Sequence, residues 1–262
     1  MDEGGLTTDA FLAGALRLQQ PAAGHRAGTD AVLLAAAIPA NARGLAVDAG
    51  AGVGAAGLAT ALAAPELRVA LLEREPALAA LAHANIEINR LIDRAFVAEA
   101  DLLSAESYIG AGLARGSADF VLTNPPFFSS EKIRVSPDRN KAAAHVIGAG
   151  GIGAWVKACL ALLKPSGTFL IIHRADALAE ILRALSSSAG ALIVLPIHPR
   201  ADRPATRILV RGLKGRRTPP VLAPPLILHD GDGTFAPFAA ALHRGSARID
   251  WDKLSCSKVA PG

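Results

Sequence analysis

The residues best suited to chemistry are Thr123-Asn124-Pro125-Pro126-Phe127-Phe128, which follow the apolar run Ala118–Leu122. Their types suit a grip on a flat NH2 group. Such a nitrogen is a poor nucleophile, because its lone pair is delocalised into the adjoining π system. Asn124 offers a side-chain carbonyl to one N–H, and the backbone carbonyl of Pro125 can take the other. Two acceptors on one NH2 favour a more tetrahedral nitrogen with its lone pair aimed outward. Pro125 and Pro126 stiffen the turn and bring no N–H to compete for those acceptors. Phe127 can stack on a flat substrate, typically worth about 1–3 kcal/mol per base, while Phe128 reads as core or pocket wall. No strong general base is required, so catalysis would consist mainly of positioning. The competing reading is a rigid turn with both phenylalanines in the core.

A second group lies upstream. Val47-Asp48-Ala49-Gly50-Ala51-Gly52-Val53-Gly54 follows a short apolar strand and opens a helix. Glycines at alternate positions let a backbone turn sharply and approach a ligand closely. No Gly-Lys-Ser/Thr follows, so this is not a phosphate loop of the Walker type. Asp48 would repel a pyrophosphate, but it suits the positively charged methionine end of S-adenosylmethionine. Glu73, at the end of the next strand, can accept both hydroxyls of a ribose. Asp101, after the third strand, can accept from an adenine amine or serve as a helix N-cap.

These groups need a scaffold that brings strand ends together. Candidate strands are Gly44–Asp48, Arg68–Glu73, Ala95–Glu99, Ala118–Thr123, Gly167–His173, Ala191–Pro196 and Thr206–Gly212. Candidate helices are Thr29–Ile38, Val53–Ala63, Pro76–Leu91, Gly151–Leu163 and Asp176–Ser187. Thr29 or Asp30 can cap the first helix, and Pro76 sits at a first helical position. Continuous apolar runs such as Phe169–Ile172 imply strands covered on both faces. Strand–helix alternation implies an α/β fold with a doubly wound, mostly parallel sheet, whose ligands bind beyond the carboxyl ends of the strands. Arg216–Pro225, with four prolines, reads as an extended surface loop.

Composition bounds the rest. The 262 residues are 51% hydrophobic and only 4% aromatic, with a net charge of +4. That balance leans mildly towards anionic partners. Two cysteines, Cys159 and Cys256, give neither metal-ligand spacing nor a disulfide framework. The first residues lack a basic leader, no apolar run reaches membrane-spanning length, and a cytoplasmic protein is expected. Arg200, Arg203, Arg207, Arg211, Lys214, Arg216 and Arg217 form one basic run, and Lys132, Arg134, Arg139 and Lys141 another. Either could follow a nucleic-acid backbone, positioning without specifying; the first could equally be a solvated hairpin.

Together, Asp48–Gly54, Glu73, Asp101 and Asn124–Phe127 resemble the class I S-adenosylmethionine-dependent methyltransferases with an Asn-Pro-Pro-aromatic motif. The resemblance implies a Rossmann-like seven-stranded sheet whose last strand is antiparallel. It implies one such domain over residues 1–262, with residues 1–40 covering substrate and cofactor. A narrower match, Gly24-His25-Arg26-Ala27-Gly28-Thr29-Asp30 before an apolar helix, is similar to bacterial enzymes that methylate N6 of an adenosine beside the anticodon of a valine tRNA. It implies that Arg26, Thr29 and Asp30 join Asp48, Gly50, Gly52, Glu73, Asp101 and Asn124 around S-adenosylmethionine, with no metal. It also implies tRNA as the partner. This chain departs from that group in having His25 before Arg26, and Ala143 and Ala144 where two arginines are expected. A protein glutamine N5-methyltransferase, another RNA or DNA amino-methyltransferase, a small-molecule O-methyltransferase and a non-catalytic RNA-binding module are the alternatives. A glutamine enzyme tends to carry a longer helical N-terminal region than the roughly 40 residues before the first strand here. The intact set of motif residues disfavours a non-catalytic module.

Overall fold

A computed structural model describes residues 5–23, 26–125 and 151–255. The chain opens with an antiparallel hairpin, β1 (Leu6–Phe11) and β2 (Leu16–Pro21). Helix α1 (Thr29–Ala36) then leads into β3 (Gly44–Ala49), α2 (Ala55–Ala63), β4 (Leu67–Glu73), α3 (Pro76–Ile88), β5 (Ala95–Glu99), α4 (Ala105–Gly110) and β6 (Ala118–Thr123). After it come α5 (Gly151–Leu162), β7 (Leu163–Arg174), α6 (Leu178–Leu185), β8 (Ala189–His198) and β9 (Arg207–Lys214). The described chain ends with two-residue strands β10 (Val221–Leu222) and β11 (Leu226–Ile227) and short helices α7 (Pro237–His243) and α8 (Trp251–Ser255).

The main sheet has the order β10-β8-β9-β7-β6-β3-β4-β5, with β11 also on β8. Only β9 runs antiparallel to its neighbours. The expected seven strands are present, the seventh is antiparallel as expected, and β10 and β11 raise the count to nine. Both additions fall in or beside the proline-rich stretch read as loop. Two residues are too few to show a strand period in the sequence.

Alternate residues of each strand feed different layers. Leu170 and Ile172 of β7 join the cluster under α1, α2 and α3. Phe169 and Ile171 join the one under α4, α5 and α6. Burial on both faces explains the unbroken apolar runs.

The hairpin is fixed to this body by amide chemistry. Asn85 of α3 is fully buried. Its Nδ2 donates to the carbonyls of Gln19 (2.9 Å) and Val53 (3.0 Å), and its Oδ1 accepts the Gln19 N–H (2.7 Å). One turn on, Asn89 does the same to Arg17, accepting at 2.9 Å and donating at 2.7 Å. Four helical residues rise about 6 Å and two strand residues about 6.6 Å, so the two carboxamides meet alternate residues of β2. Leu16 and Leu18 meanwhile enter the core.

The helix starts differ in one respect from expectation. Pro76 does open α3, after Glu75. For α1 the capping residue is Gly28, with no side-chain cap; Thr29 is the first helical residue and Asp30 lies in the first turn. Asp30 is instead drawn sideways to Arg207, at 3.1 Å.

Replacing Asn85 with Leu strands three backbone groups, one buried on Val53 and two partly buried on Gln19. It should cost about 2–4 kcal/mol in urea unfolding and speed exchange of the Gln19 amide. Unchanged protection of that amide would disprove the clamp.

Candidate active site

Four parallel strands end at one edge. In register, Ala49 of β3 lies beside Leu72 of β4 and Thr123 of β6, and Glu73 lies beside Glu99 of β5. The next residues of each strand therefore leave the sheet as neighbours. The N–H groups of Gly50 and Ala51 both donate to the Leu72 carbonyl, at 2.9 and 3.1 Å, and Ala100 N–H donates to the Glu73 carbonyl at 2.9 Å. Gly50, Glu73, Asp101 and Asn124 are thus brought to the edge where such sheets hold ligands.

The loop glycines serve different ends. Gly50, Gly52 and Gly54 have φ of 73°, 56° and 88°, a region that side-chained residues avoid. A Cβ on Gly50 would stand 2.8 Å from the Trp155 ring, and one on Gly54 2.7 Å from Leu71. A Cβ on Gly52 would meet nothing within 4 Å. Gly50 and Gly54 are glycines because the core presses on them, while Gly52 faces open space. Its N–H donates to Glu73 Oε2 at 2.8 Å.

Glu73 sits at the centre of the edge. Its other oxygen accepts the N–H groups of Arg74 and Glu75, both at 2.9 Å. Asp48 is directed inward: it is 2% exposed and its Oδ2 accepts the Gly57 N–H of α2 at 2.7 Å. Burial pushes its carboxyl up to about 7, and the nearby Glu73 charge adds to the rise.

Asn124 is the distinctive member. Its Oδ1 is buried and accepts no hydrogen bond among the described residues. Just before it, the Thr123 hydroxyl donates to the Ala49 carbonyl (2.7 Å) and accepts from Trp155 Nε1 (2.9 Å). One buried hydroxyl therefore links the strand that enters the glycine loop, the strand that presents Asn124, and α5.

Asp101 accepts the Leu103 N–H at 2.9 Å and does not cap α4; Ser104 does, by accepting the Ser107 N–H at 3.3 Å. Arg26 pairs with Asp9 of β1 at 2.5 Å. Asp9 in turn accepts from Gln20 Nε2 (2.5 Å), and Gln20 Oε1 takes the Ala27 N–H (2.9 Å), so the hairpin orders the chain entering α1. Pro125 is buried. Pro126, Phe127, Phe128 and the basic group Lys132, Arg134, Arg139 and Lys141 lie outside the described residues.

The sequence reading takes in Thr123 as part of the motif without its bridging role, and it misses Trp155 and Asn85. Trp155 had a signal, being one of only two tryptophans. Asn85 and Asn89 also had one, as amides four residues apart on an apolar helix.

Gly50→Ala should destabilise by about 1–3 kcal/mol more than Gly52→Ala, since strain is common to both and only the first overpacks the core. Equal urea midpoints would refute this division. For Asp48, the raised carboxyl favours the folded state fully below its unfolded value near 4, and that contribution is lost as pH rises through about 7. Relative to Asp48→Asn, wild-type stability should fall by on the order of 2 kcal/mol between about pH 5 and pH 7. Parallel stability curves would show that Asp48 does not titrate there.

Residues 25–175, more than half of the chain, match the family model described as the methyltransferase small domain. Two curated relatives, from two strains of Porphyromonas gingivalis, are named tRNA1(Val) (adenine(37)-N6)-methyltransferase. Each is 29% identical, over 88% of this chain and 92% of the relative. Among solved structures, one named as a predicted O-methyltransferase, from Agrobacterium tumefaciens, is 32% identical, with a TM-score of 0.71 over 84% of this chain and 98% of that one. The TYW2 protein of M. jannaschii, solved with AdoMet, shares the fold at 15% identity, with a TM-score of 0.56 over 80% and 86% of the two chains. The open face at Gly52, the carboxylate of Glu73 beside it and the Asn124 carbonyl, which accepts no hydrogen bond among the described residues, fit such a cofactor with a methyl acceptor alongside. The chain belongs to the methyltransferase small domain family and is an S-adenosylmethionine-dependent methyltransferase.

Proposed function

We propose that the enzyme methylates the exocyclic N6 amine of an adenine in tRNA. The observation that carries this is the buried Oδ1 of Asn124 at the carboxyl end of β6, which accepts no hydrogen bond among the described residues. An unpaired buried acceptor costs about 1–3 kcal/mol. A substrate N–H would relieve that cost on arrival. An amine has two N–H groups, one for Asn124 and one for the Pro125 carbonyl, whereas a hydroxyl has one and then needs a base. That difference favours nitrogen over the oxygen acceptor in the name of the Agrobacterium protein. The names of the Porphyromonas relatives support adenine in tRNA over glutamine in a protein, and a cytoplasmic location goes with that substrate.

S-adenosylmethionine supplies an electrophilic methyl on a sulfonium. Glu73 would accept from the ribose hydroxyls, the backbone of Gly50 and Gly52 would hold the methionine portion, and Asp101 would accept from the adenine amine. Asp48 keeps the glycine turn in place from behind. Residues 1–40 form the cover of the single domain, and through the Asp9–Arg26 pair they hold Arg26, Thr29 and Asp30 over the pocket. Asn124 and Pro125 orient the target NH2, Pro126 stiffens the turn, and Phe127 stacks on the base. The sulfonium methyl would pass to the nitrogen that Asn124 and Pro125 orient, and that nitrogen would then lose its proton to water.

Labelled methyl should pass from S-adenosylmethionine to unmodified tRNA and be recovered as N6-methyladenosine. Asn124→Ala should lower turnover by about 100-fold or more, comparable to losing a preorganised transition-state contact, with cofactor affinity within a few-fold. Full activity in that variant would remove the mechanism. Label in a release-factor glutamine and none in tRNA would replace the substrate.

A further inference from the structure

The hairpin and the C-terminal segment both lie outside residues 25–175, and they meet over α1 and α2 around a cavity of about 150 Å³. Leu12 from the hairpin tip, Val32 of α1, Ala63 of α2 and Leu242 of α7 form apolar walls, and Arg244 and Arg248 complete the lining. This is not the cofactor site. α2 runs away from the glycine loop, and at about 1.5 Å per residue its lining residues, Ala59 to Ala63, lie roughly 6–12 Å along it. Glu73, Asp101 and Asn124 take no part in the lining.

The hairpin tip is bent to make its wall. Leu12, Ala13 and Gly14 have successive φ of 50°, 56° and 90°. A left-handed backbone is costly for residues with a side chain and persists only where the surroundings impose it. Here it seats Leu12 over the turn at Gly245, where an added Cβ would stand 3.8 Å from the Leu12 side chain. Arg248 is the unbalanced member. Its Nη1 donates to the carbonyls of Gly245 (3.2 Å) and Ala247 (2.9 Å), and its Nη2 to that of Ala63 (3.4 Å). Its Nε is buried and has no acceptor among the described residues. Burial pulls its pKa below the ordinary arginine value, yet a guanidinium keeps its charge. Among the described residues, neither Arg248 nor Arg244 is in an ion pair. A partly buried cation without a counter-charge is a cost that an entering anion removes.

We propose that this cavity binds a small apolar carboxylate, whose hydrocarbon part fills the space between Leu12, Val32, Ala63 and Leu242 and whose anionic head meets Arg248 and Arg244. The volume sets the size, because a cavity of about 150 Å³ admits a body the size of a benzene ring. The apolar walls disfavour a hydrated inorganic anion, and two guanidinium groups disfavour a cation. Leu12 belongs to the hairpin, so the site is complete only when the hairpin is docked, and a bound ligand holds it there by mass action. The site is separate from the methyl-transfer edge and stands whichever substrate is methylated.

The test is calorimetric titration of the whole chain with benzoate, with benzyl alcohol as the uncharged control and acetate as the control without a ring. Benzoate should bind at one saturable site, about 10-fold or more tighter than either control. Arg248→Met should weaken it by about 10- to 100-fold, the loss of charge-assisted hydrogen bonds, and the exposed Arg244→Ala by about 2- to 5-fold. Ala63→Leu, which fills the space, should abolish binding. Ala63 is only partly buried, so that variant and Arg244→Ala serve even if Arg248→Met unfolds. With benzoate at about ten times its Kd, exchange of the Gln19 amide should slow by about 10-fold. Absence of benzoate binding overturns the proposal, as does a control that binds equally well. Undiminished binding in Ala63→Leu, or an unchanged Gln19 amide, places the ligand elsewhere and also overturns it.

Discussion

The in-register pairing of β3 with β4 on one side and β6 on the other is the constraint on which the site depends. Parallel strands locked by main-chain hydrogen bonds must end together, and the loops leaving those ends must then share one small volume. Two loop N–H groups converge on the Leu72 carbonyl, and the Thr123 hydroxyl bridges β3 and β6. Asn124 is aimed by bonds that belong to its neighbours. Its own side-chain carbonyl accepts no hydrogen bond among the described residues.

The same edge is supported differently on its two faces. Below it, Trp155 fills the space that a side chain on Gly50 would need and anchors Thr123. Above it, the Asp9–Gln20–Arg26 network sets the path into α1. The burial of Asp48 belongs to the second face: a carboxyl out of water holds the start of α2 at the expense of its own ionisation.

Most of the sheet was legible because strands buried on both faces have no choice but to be apolar, and their ends carried Asp48, Glu73 and Asn124. Elements held by few or polar contacts were not. The β1–β2 hairpin depends on carboxamides of α3 whose four-residue spacing marks a helix face but not the distant strand they hold, and β10 and β11 are two residues each. Thr29 and Asp30 were misjudged as caps because Asp30 has a partner 177 positions away. The basic run misled for a related reason. Proximity along a strand is separation in space, and β9 sends its two ends to opposite sides of the molecule.

The carboxamide clamp of Asn85 and Asn89 has a consequence for how the molecule is made. Gln19 and Arg17 bond to residues 66 and 72 positions further along. A chain emerging from the ribosome must therefore carry its first hairpin undocked until α3 has appeared. The hairpin edge stays available to other strands during that interval, and closing so long a loop is an entropic cost that only the finished helix can offset. The β1–β2 hairpin is thus made before α3 and seated only after it.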